Sequence, residues 1–155
     1  MDNDPGTTSV IRLIETPYKL EAQNIVCYPN LVLYFKIEIQ RLFMKPRIVY
    51  SAITVDLVRG EAARSNMFPK SRPIEISDDA LIPQLMSHEA ATAAAQKVVM
   101  KWLRYKFRIY KVPNIELVRQ QAVYKAFFYT KGPKDELLLV DSVEGIDLSD
   151  KDGKG

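Results

Sequence analysis

Residues 31–40 read Leu31-Val32-Leu33-Tyr34-Phe35-Lys36-Ile37-Glu38-Ile39-Gln40. The odd positions are all apolar, and Lys36, Glu38 and Gln40 alternate with them. A period of two predicts a strand with one buried face, as is typical of antiparallel sheets. Met44–Arg47 then contains a proline, which cannot donate to a strand ladder, and a second β-branched run follows from Ile48 to Val55. We therefore predict a long hairpin over residues 31–55.

A short pattern, D-x-V-x-G, closes two apolar runs of the chain. It occurs as Asp56-Leu57-Val58-Arg59-Gly60 and as Asp141-Ser142-Val143-Glu144-Gly145, 85 residues apart in a chain of 155. This spacing predicts an internal duplication into two related halves. Aspartate can fold its side chain onto the following amides, and glycine accepts a positive φ. We therefore assign structural turns to Asp56, Gly60, Asp141 and Gly145.

The same two segments are similar to the end of PepSY-like domains, small modules that close with V-D-x-x-[TS]-G-x. The matching stretches run from Val55 to Glu61 and from Val140 to Ile146, with Arg59 and Glu144 in place of the hydroxyl residue. The resemblance implies two tandem modules that bind or regulate, in some cases on peptidases, without catalytic residues of their own.

The second half begins with the clearest helical segment of the chain. Ser87 is the candidate N-cap, Glu89 suits the positive end of the helix dipole, and we predict a helix over 88–108. Its predicted buried stripe follows steps of three or four residues: Ala91, Ala95, Val98, Trp102 and Tyr105. Strands are predicted at 117–129 and 136–143, although residues 115–122 also fit a helical turn.

These elements define the expected organisation of the chain. We predict a disordered N-terminus over 1–9, a first half over 10–66, a linker rich in proline over 67–76, a second half over 77–146 and a disordered tail over 147–155. The register upstream of the two D-x-V-x-G segments is open. Either Pro29–Leu31 corresponds to Pro113–Ile115, or Ile25–Val26 corresponds to Leu117–Val118. The fold class expected is α+β, an antiparallel sheet from two hairpin-containing halves with at least one long helix packed on it.

Composition excludes several classes of function. The chain carries 22 basic and 19 acidic residues, one cysteine, one histidine and six glycines. A disulfide within the chain and a Cys/His zinc site are therefore excluded, and no phosphate-cradling glycine motif is present. No apolar run reaches the length of a membrane span, and the N-terminus does not resemble a signal peptide. We expect a cytoplasmic protein with no membrane partner, no metal and no cofactor.

Two residues could in principle support nucleophilic catalysis. His88 is the only histidine and stands at the predicted helix start, where an exposed or capping role is common. Cys27 has no base near it in the sequence, so a buried thiol is favoured over a nucleophile. We therefore predict that the protein is not an enzyme.

One stretch concentrates positive charge. From Lys97 to Lys111 there are six basic residues and no acidic one. Aromatic residues interleave with them, and cations with stacking rings are typical of surfaces that bind single-stranded nucleic acid. A solvated helix flank gives the same pattern. The candidate contacts are Lys97, Lys101, Arg104 and Arg108.

The function favoured by these features is a non-enzymatic module that binds a protein or peptide, at a sheet edge or in a groove between helix and sheet. Nucleic-acid binding through residues 97–111 is the alternative, and a small-ligand pocket is the third. Exposed hairpin edges also make a homo-oligomer an expected state.

Overall fold

The computed structural model of the protein describes residues 7–16, 25–131 and 137–141, with side chains described up to residue 128. The strands are β1 (Thr8–Ile14), β2 (Ile25–Arg41), β3 (Met44–Asp56), β4 (Ala62–Ser65), β5 (Ser71–Ser77), β6 (Asn114–Lys131) and β7 (Leu137–Asp141). A short 3₁₀ turn (Asp78–Ala80) precedes the helix α1 (His88–Lys106). The fold class is α+β, as predicted.

The sheet is mixed, whereas the sequence predicted an antiparallel one. Its hydrogen-bonded strand order is β4-β3-β2-β6-β1-β5, and β7 also pairs with β6. Most pairs with a described register are antiparallel, but β1 runs parallel to β6, with Leu13 opposite Tyr124. A parallel neighbour needs a long crossover connection, which hairpin patterns in the sequence do not reveal.

Contacts divide the chain into two compact units, each assembled from separate segments. The first contains the described residues of Met1–Pro29, Lys70–Pro83 and Val123–Gly155. The second contains Asn30–Pro69 and Gln84–Ala122. The two predicted halves were each continuous in sequence, with a boundary between residues 66 and 77. The division into units does not follow these halves and does not confirm the predicted duplication.

The second unit is built on the predicted hairpin. Strands β2 and β3 pair from Asn30 opposite Asp56 to Arg41 opposite Met44. The alternation read from the sequence is observed, because the odd residues of 31–39 are buried while Lys36 and Glu38 are half-buried and Gln40 is exposed. The buried residues form a single cluster with one face of α1: Leu31, Leu33, Phe35, Ile37, Ile39, Ile53, Val55, Leu57, Ala91, Ala95, Val99 and Leu103.

The first unit has its own smaller core. Strand β1 pairs along its length with β5, from Thr8 opposite Ser77 to Ile14 opposite Ser71. The amide of Ile82 donates to the carbonyl of Cys27 (2.9 Å), which ties the segment after the 3₁₀ turn to β2. The cluster of buried side chains consists of Ile11, Leu13, Ile25, Cys27, Ile76, Ala80 and Ala126.

Two segments differ from their predicted state. The expected linker, 67–76, contains most of β5, and the expected disordered start, 1–9, contains Thr8 and Ser9 of β1. Pro73 suggested a linker, but β5 stands at an end of the strand order, where a missing backbone N–H is tolerated. The predicted tail over 147–155 lies outside the described residues.

Candidate binding groove beside helix α1

Helix α1 begins at the predicted cap, and its buried face is shifted from the predicted one in its second half. The Ser87 hydroxyl oxygen accepts from the amide of Ala90 (3.0 Å), which satisfies one free donor of the first turn. The helix is buried along steps of four, through Ala91, Ala95, Val99 and Leu103. Two alanines in this row leave room for the helix to lie close to the sheet. The second half of the predicted stripe consisted of Val98, Trp102 and Tyr105. Val98 and Trp102 are half-buried and pack against the same cluster, whereas Tyr105 is 90% exposed, so the prediction was wrong for Tyr105.

That rotation of the helix leaves aromatic side chains at the border of the core. Trp102 is half-buried and packs edge-on against Phe107, with ring centroids 5.6 Å apart and an interplanar angle of 89°. Tyr105 is 90% exposed. Aromatic faces that are not covered by the core are available to a ligand.

A cation from the neighbouring strand lies on the tryptophan. The guanidinium carbon of Arg64, in β4, is 4.1 Å from the centroid of the Trp102 ring. The same guanidinium donates to the Ser51 hydroxyl (3.1 Å) and to the Asn66 side-chain oxygen (3.0 Å). Three contacts therefore hold the planar cation of Arg64 in one orientation.

An open groove lies over these side chains. It has a volume of about 310 Å³, and its largely apolar lining comes from Arg64, Val98, Lys101, Trp102 and Tyr105. Lys101 is exposed, so its ammonium group is available to a ligand in the groove. Apolar walls with cations at the border suit a ligand that combines an apolar or aromatic side chain with negative charge.

The predicted nucleic-acid contacts are only partly brought together. Lys97 and Arg104 line a second open groove of about 430 Å³, with Ala93, Gln96 and Met100, whereas Lys101 lines the first. Lys97, Lys101 and Arg104 are all exposed on α1, and none of them belongs to its buried row. Arg108 is exposed and follows the end of the helix.

The first D-x-V-x-G segment forms a turn in which both carboxylate oxygens of the aspartate accept hydrogen bonds. Asp56 is 5% exposed, and its Oδ1 accepts from the amides of Val58 (2.8 Å) and Arg59 (2.9 Å). Its Oδ2 accepts from the Arg59 guanidinium at 3.0 Å and 3.1 Å. Gly60 has φ of 77° and donates to the Asp56 carbonyl (2.8 Å). Asp141 is the last residue of β7, and Gly145 lies outside the described residues.

The structure places the two candidate nucleophilic residues in different settings. Cys27 is fully buried, and burial raises the pKa of its thiol to about 11. His88 is exposed at the start of α1. Within residues 7–16, 25–131 and 137–141, no group of three or more His, Cys, Asp or Glu side chains is placed to hold a metal ion.

Sequence reasoning missed the cations that contact aromatic rings. Besides Arg64 on Trp102, Arg119 lies 3.7 Å from the Phe68 centroid and Arg47 lies 5.0 Å from the Phe107 centroid. In each pair the two residues are far apart in the sequence, so no local pattern could have joined them. An arginine in a short strand rich in small residues, Ala62–Ser65, was the only available signal for Arg64.

Comparison with known proteins gives no relative. No protein-family model matches the chain. Neither the curated proteins nor the solved structures give a significant match. In the part of the chain that the structure describes, no helix is long and apolar enough to cross a membrane.

Proposed function

We propose that this protein is a non-enzymatic binding module whose groove between α1 and β4 takes an acidic peptide segment with an apolar or aromatic anchor residue. The observation that carries the proposal is the fixed Arg64 cation on the partly open Trp102 ring. An anchor side chain would pack on Val98 and Trp102, and carboxylates beside it would meet Arg64 and Lys101.

Strand addition at the ends of the strand order is less well supported than groove binding. Strand β4 has four residues, and a short strand offers few unpaired backbone groups to a peptide. Strand β5 carries Pro73, which removes one backbone donor. The groove requires no backbone pairing, because its recognition elements are side chains.

Intrinsic fluorescence tests the groove directly, because Trp102 is the only tryptophan of the chain. The probe is a capped pentapeptide with a central phenylalanine and two glutamates on each side. We expect its addition to change Trp102 emission saturably, and a peptide with lysines in place of the glutamates to have no effect. The Arg64→Gln variant is expected to lose the response, and the matched Arg72→Gln variant, at an exposed arginine of β5, to keep it. An unchanged response in Arg64→Gln overturns the proposal.

Single-stranded nucleic acid is the second candidate, favoured by the 90% exposure of Tyr105 beside Lys101 and Arg104. An exposed ring among cations can stack on an unpaired base while the cations meet phosphates. The test is the anisotropy of a fluorescent single-stranded oligonucleotide at low salt and at about 0.3 M salt. Binding that weakens with salt and is lost in the Lys101→Glu/Arg104→Glu double variant supports this candidate over the peptide.

We also infer that the module derives from a duplicated PepSY-like unit. What supports this is the equivalent place of the two aspartates, since Asp56 ends β3 and Asp141 ends β7. If the two turns are equivalent, Asp141→Ala should lower the free energy of unfolding about as much as Asp56→Ala. A negligible effect of Asp141→Ala would remove the support.

A further inference from the structure

The tip of the β2–β3 hairpin exposes three consecutive large apolar residues. Phe43 is fully exposed, and Leu42 and Met44 are each exposed over more than half of their surface. Among the residues whose exposure is described, no other three consecutive large apolar side chains are exposed. Such a group on the surface of a protein marks an interaction site more often than scattered single residues do.

The backbone at the tip is unfavourable for the residue that occupies it. Phe43 has φ of 61°, and it is the only non-glycine residue with positive φ in the described part of the chain. Hairpin turns place glycine, asparagine or aspartate in this conformation, and a bulky aromatic residue there is strained. Phe43 gains nothing from packing, because it is fully exposed, so its presence is not explained by the stability of the hairpin.

Positive charge lies directly behind the apolar tip. Arg41 and Lys45 flank it, Arg47 follows, and Ile39 to Val55 contains no acidic residue. The Arg41 Nε donates to the Lys45 carbonyl (2.9 Å), which holds this cation at the base of the tip. The nearest acidic residue on β2 is Glu38, whose carboxylate accepts from the Gln40 amide (3.2 Å).

The order of these groups along the hairpin matches the layers of a membrane surface. Apolar side chains come first, and the cations lie two residues (Arg41 and Lys45) and four residues (Arg47) from Phe43, a span of about 7 to 13 Å along a strand. The headgroup layer of a bilayer is about 5 to 8 Å deep on each side of its hydrocarbon. A convex tip can enter such a layer without a shaped pocket, and its cations then lie at the depth of the lipid phosphates.

We propose that the hairpin tip Leu42–Met44 inserts into the surface of a bilayer that contains anionic lipids, while Arg41, Lys45 and Arg47 bind the headgroups. The expectation of no membrane partner rested on the absence of a spanning segment, and attachment by a surface loop does not need one. The proposal is independent of the groove beside α1, since no residue of the tip lines that groove.

Co-sedimentation with vesicles tests the proposal. One set of vesicles is phosphatidylcholine alone, and the other is phosphatidylcholine mixed with phosphatidylserine. The full chain is used, and circular dichroism checks that each variant is folded. We expect binding to the mixed vesicles only, and a reduction of about tenfold or more in Phe43→Gly. The matched control is Leu85→Ser, at a highly exposed apolar residue whose amide donates to the Leu57 carbonyl, beyond the end of the hairpin opposite to its tip. This variant should bind as the unmodified protein does.

Phe43→Gly is chosen because glycine fits the backbone at this position, so loss of binding cannot be attributed to a damaged turn. A second variant, with the double substitution Arg41→Gln/Lys45→Gln, should bind the mixed vesicles more weakly, and its binding should depend less on salt. Failure of the original protein to bind the mixed vesicles overturns the proposal. Equal binding by the original protein and Phe43→Gly also overturns it, because adhesion would then come from basic charge alone.

Discussion

The guanidinium group of Arg64 lies over the indole ring of Trp102, and a four-residue strand thereby fixes the aromatic wall of the groove beside α1. The contact couples the shape of the groove to the integrity of β4, because Arg64 also bonds to Ser51 on the adjacent strand β3. The wall of the groove is thus held in place by a contact between side chains that are distant in the sequence.

Arg64→Ala is expected to lower the free energy of unfolding by about 1 to 2 kcal/mol, because it removes the cation–π contact and a donor to the buried Ser51 hydroxyl. The measurement is urea unfolding followed by circular dichroism, with Arg72→Ala as the control at an exposed arginine. A loss no larger than that of the control would show that the contacts of Arg64 with Trp102 and Ser51 contribute nothing to stability.

Phe43→Gly is expected to stabilise the protein by about 0.5 to 1 kcal/mol. Relief of the left-handed conformation is worth about 1 to 2 kcal/mol, and the greater freedom of glycine in the unfolded chain offsets part of it. The urea midpoint should therefore rise. Leu42→Gly is the matched comparison, because Leu42 does not have a positive φ, and its midpoint should fall. A lower midpoint in Phe43→Gly contradicts the argument that this residue is strained.

Asp56→Ala is expected to cost about 3 kcal/mol, because it removes the buried carboxylate that accepts from the amides of Val58 and Arg59 and from the Arg59 guanidinium. Asp56→Asn should cost less, since its side-chain oxygen can still accept from the amides. The measurement is the free energy of unfolding in urea. Asp79→Ala, at an exposed aspartate, provides the control, and a cost as small as that of the control would contradict the assigned role.

Cys27 is expected to resist alkylation in the folded protein at pH 8, because burial raises the pKa of its thiol from 9.0 to about 11. The folded state holds this proton more tightly than the unfolded state. Its contribution to stability is therefore fully present below pH 9 and is lost as the pH rises to about 11.

The measurement for Cys27 is the pH dependence of unfolding of the original protein minus that of Cys27→Ala, since lysines and tyrosines titrate in the same range. Rapid labelling by iodoacetamide under native conditions, at a rate near that of the denatured chain, would contradict the prediction. So would a difference curve that stays flat between pH 9 and 11.

The sequence predicted those elements whose signals are local. The alternation of residues 31–39 identified the buried face of β2, and Ser87 marked the start of α1. Strand β1 was missed because its burial depends on pairing with β5 and β6, which lie far along the chain. Pro73 indicated a break, although at a sheet edge proline is compatible with a strand.

The candidate site was less predictable than the fold for a related reason. The sequence predicted a stripe that ends at Tyr105, and only packing against the sheet decides that Val99 and Leu103 are buried while Tyr105 is exposed. Lys101 could be named from its place in a basic segment. Arg64 could not, because its importance comes from contacts with Ser51 and Trp102, which the sequence does not place together.

Each compact unit is assembled from segments that are not consecutive, and this has a consequence for synthesis on the ribosome. The second unit requires nothing beyond Ala122, so it can close while the chain is still being made. Strand β1 is synthesised before the other described strands, yet the residue that Leu13 meets in parallel, Tyr124, follows 111 residues later. We therefore expect β1 to remain without its parallel partner during much of synthesis, which makes its apolar residues a target of chaperones that bind growing polypeptides.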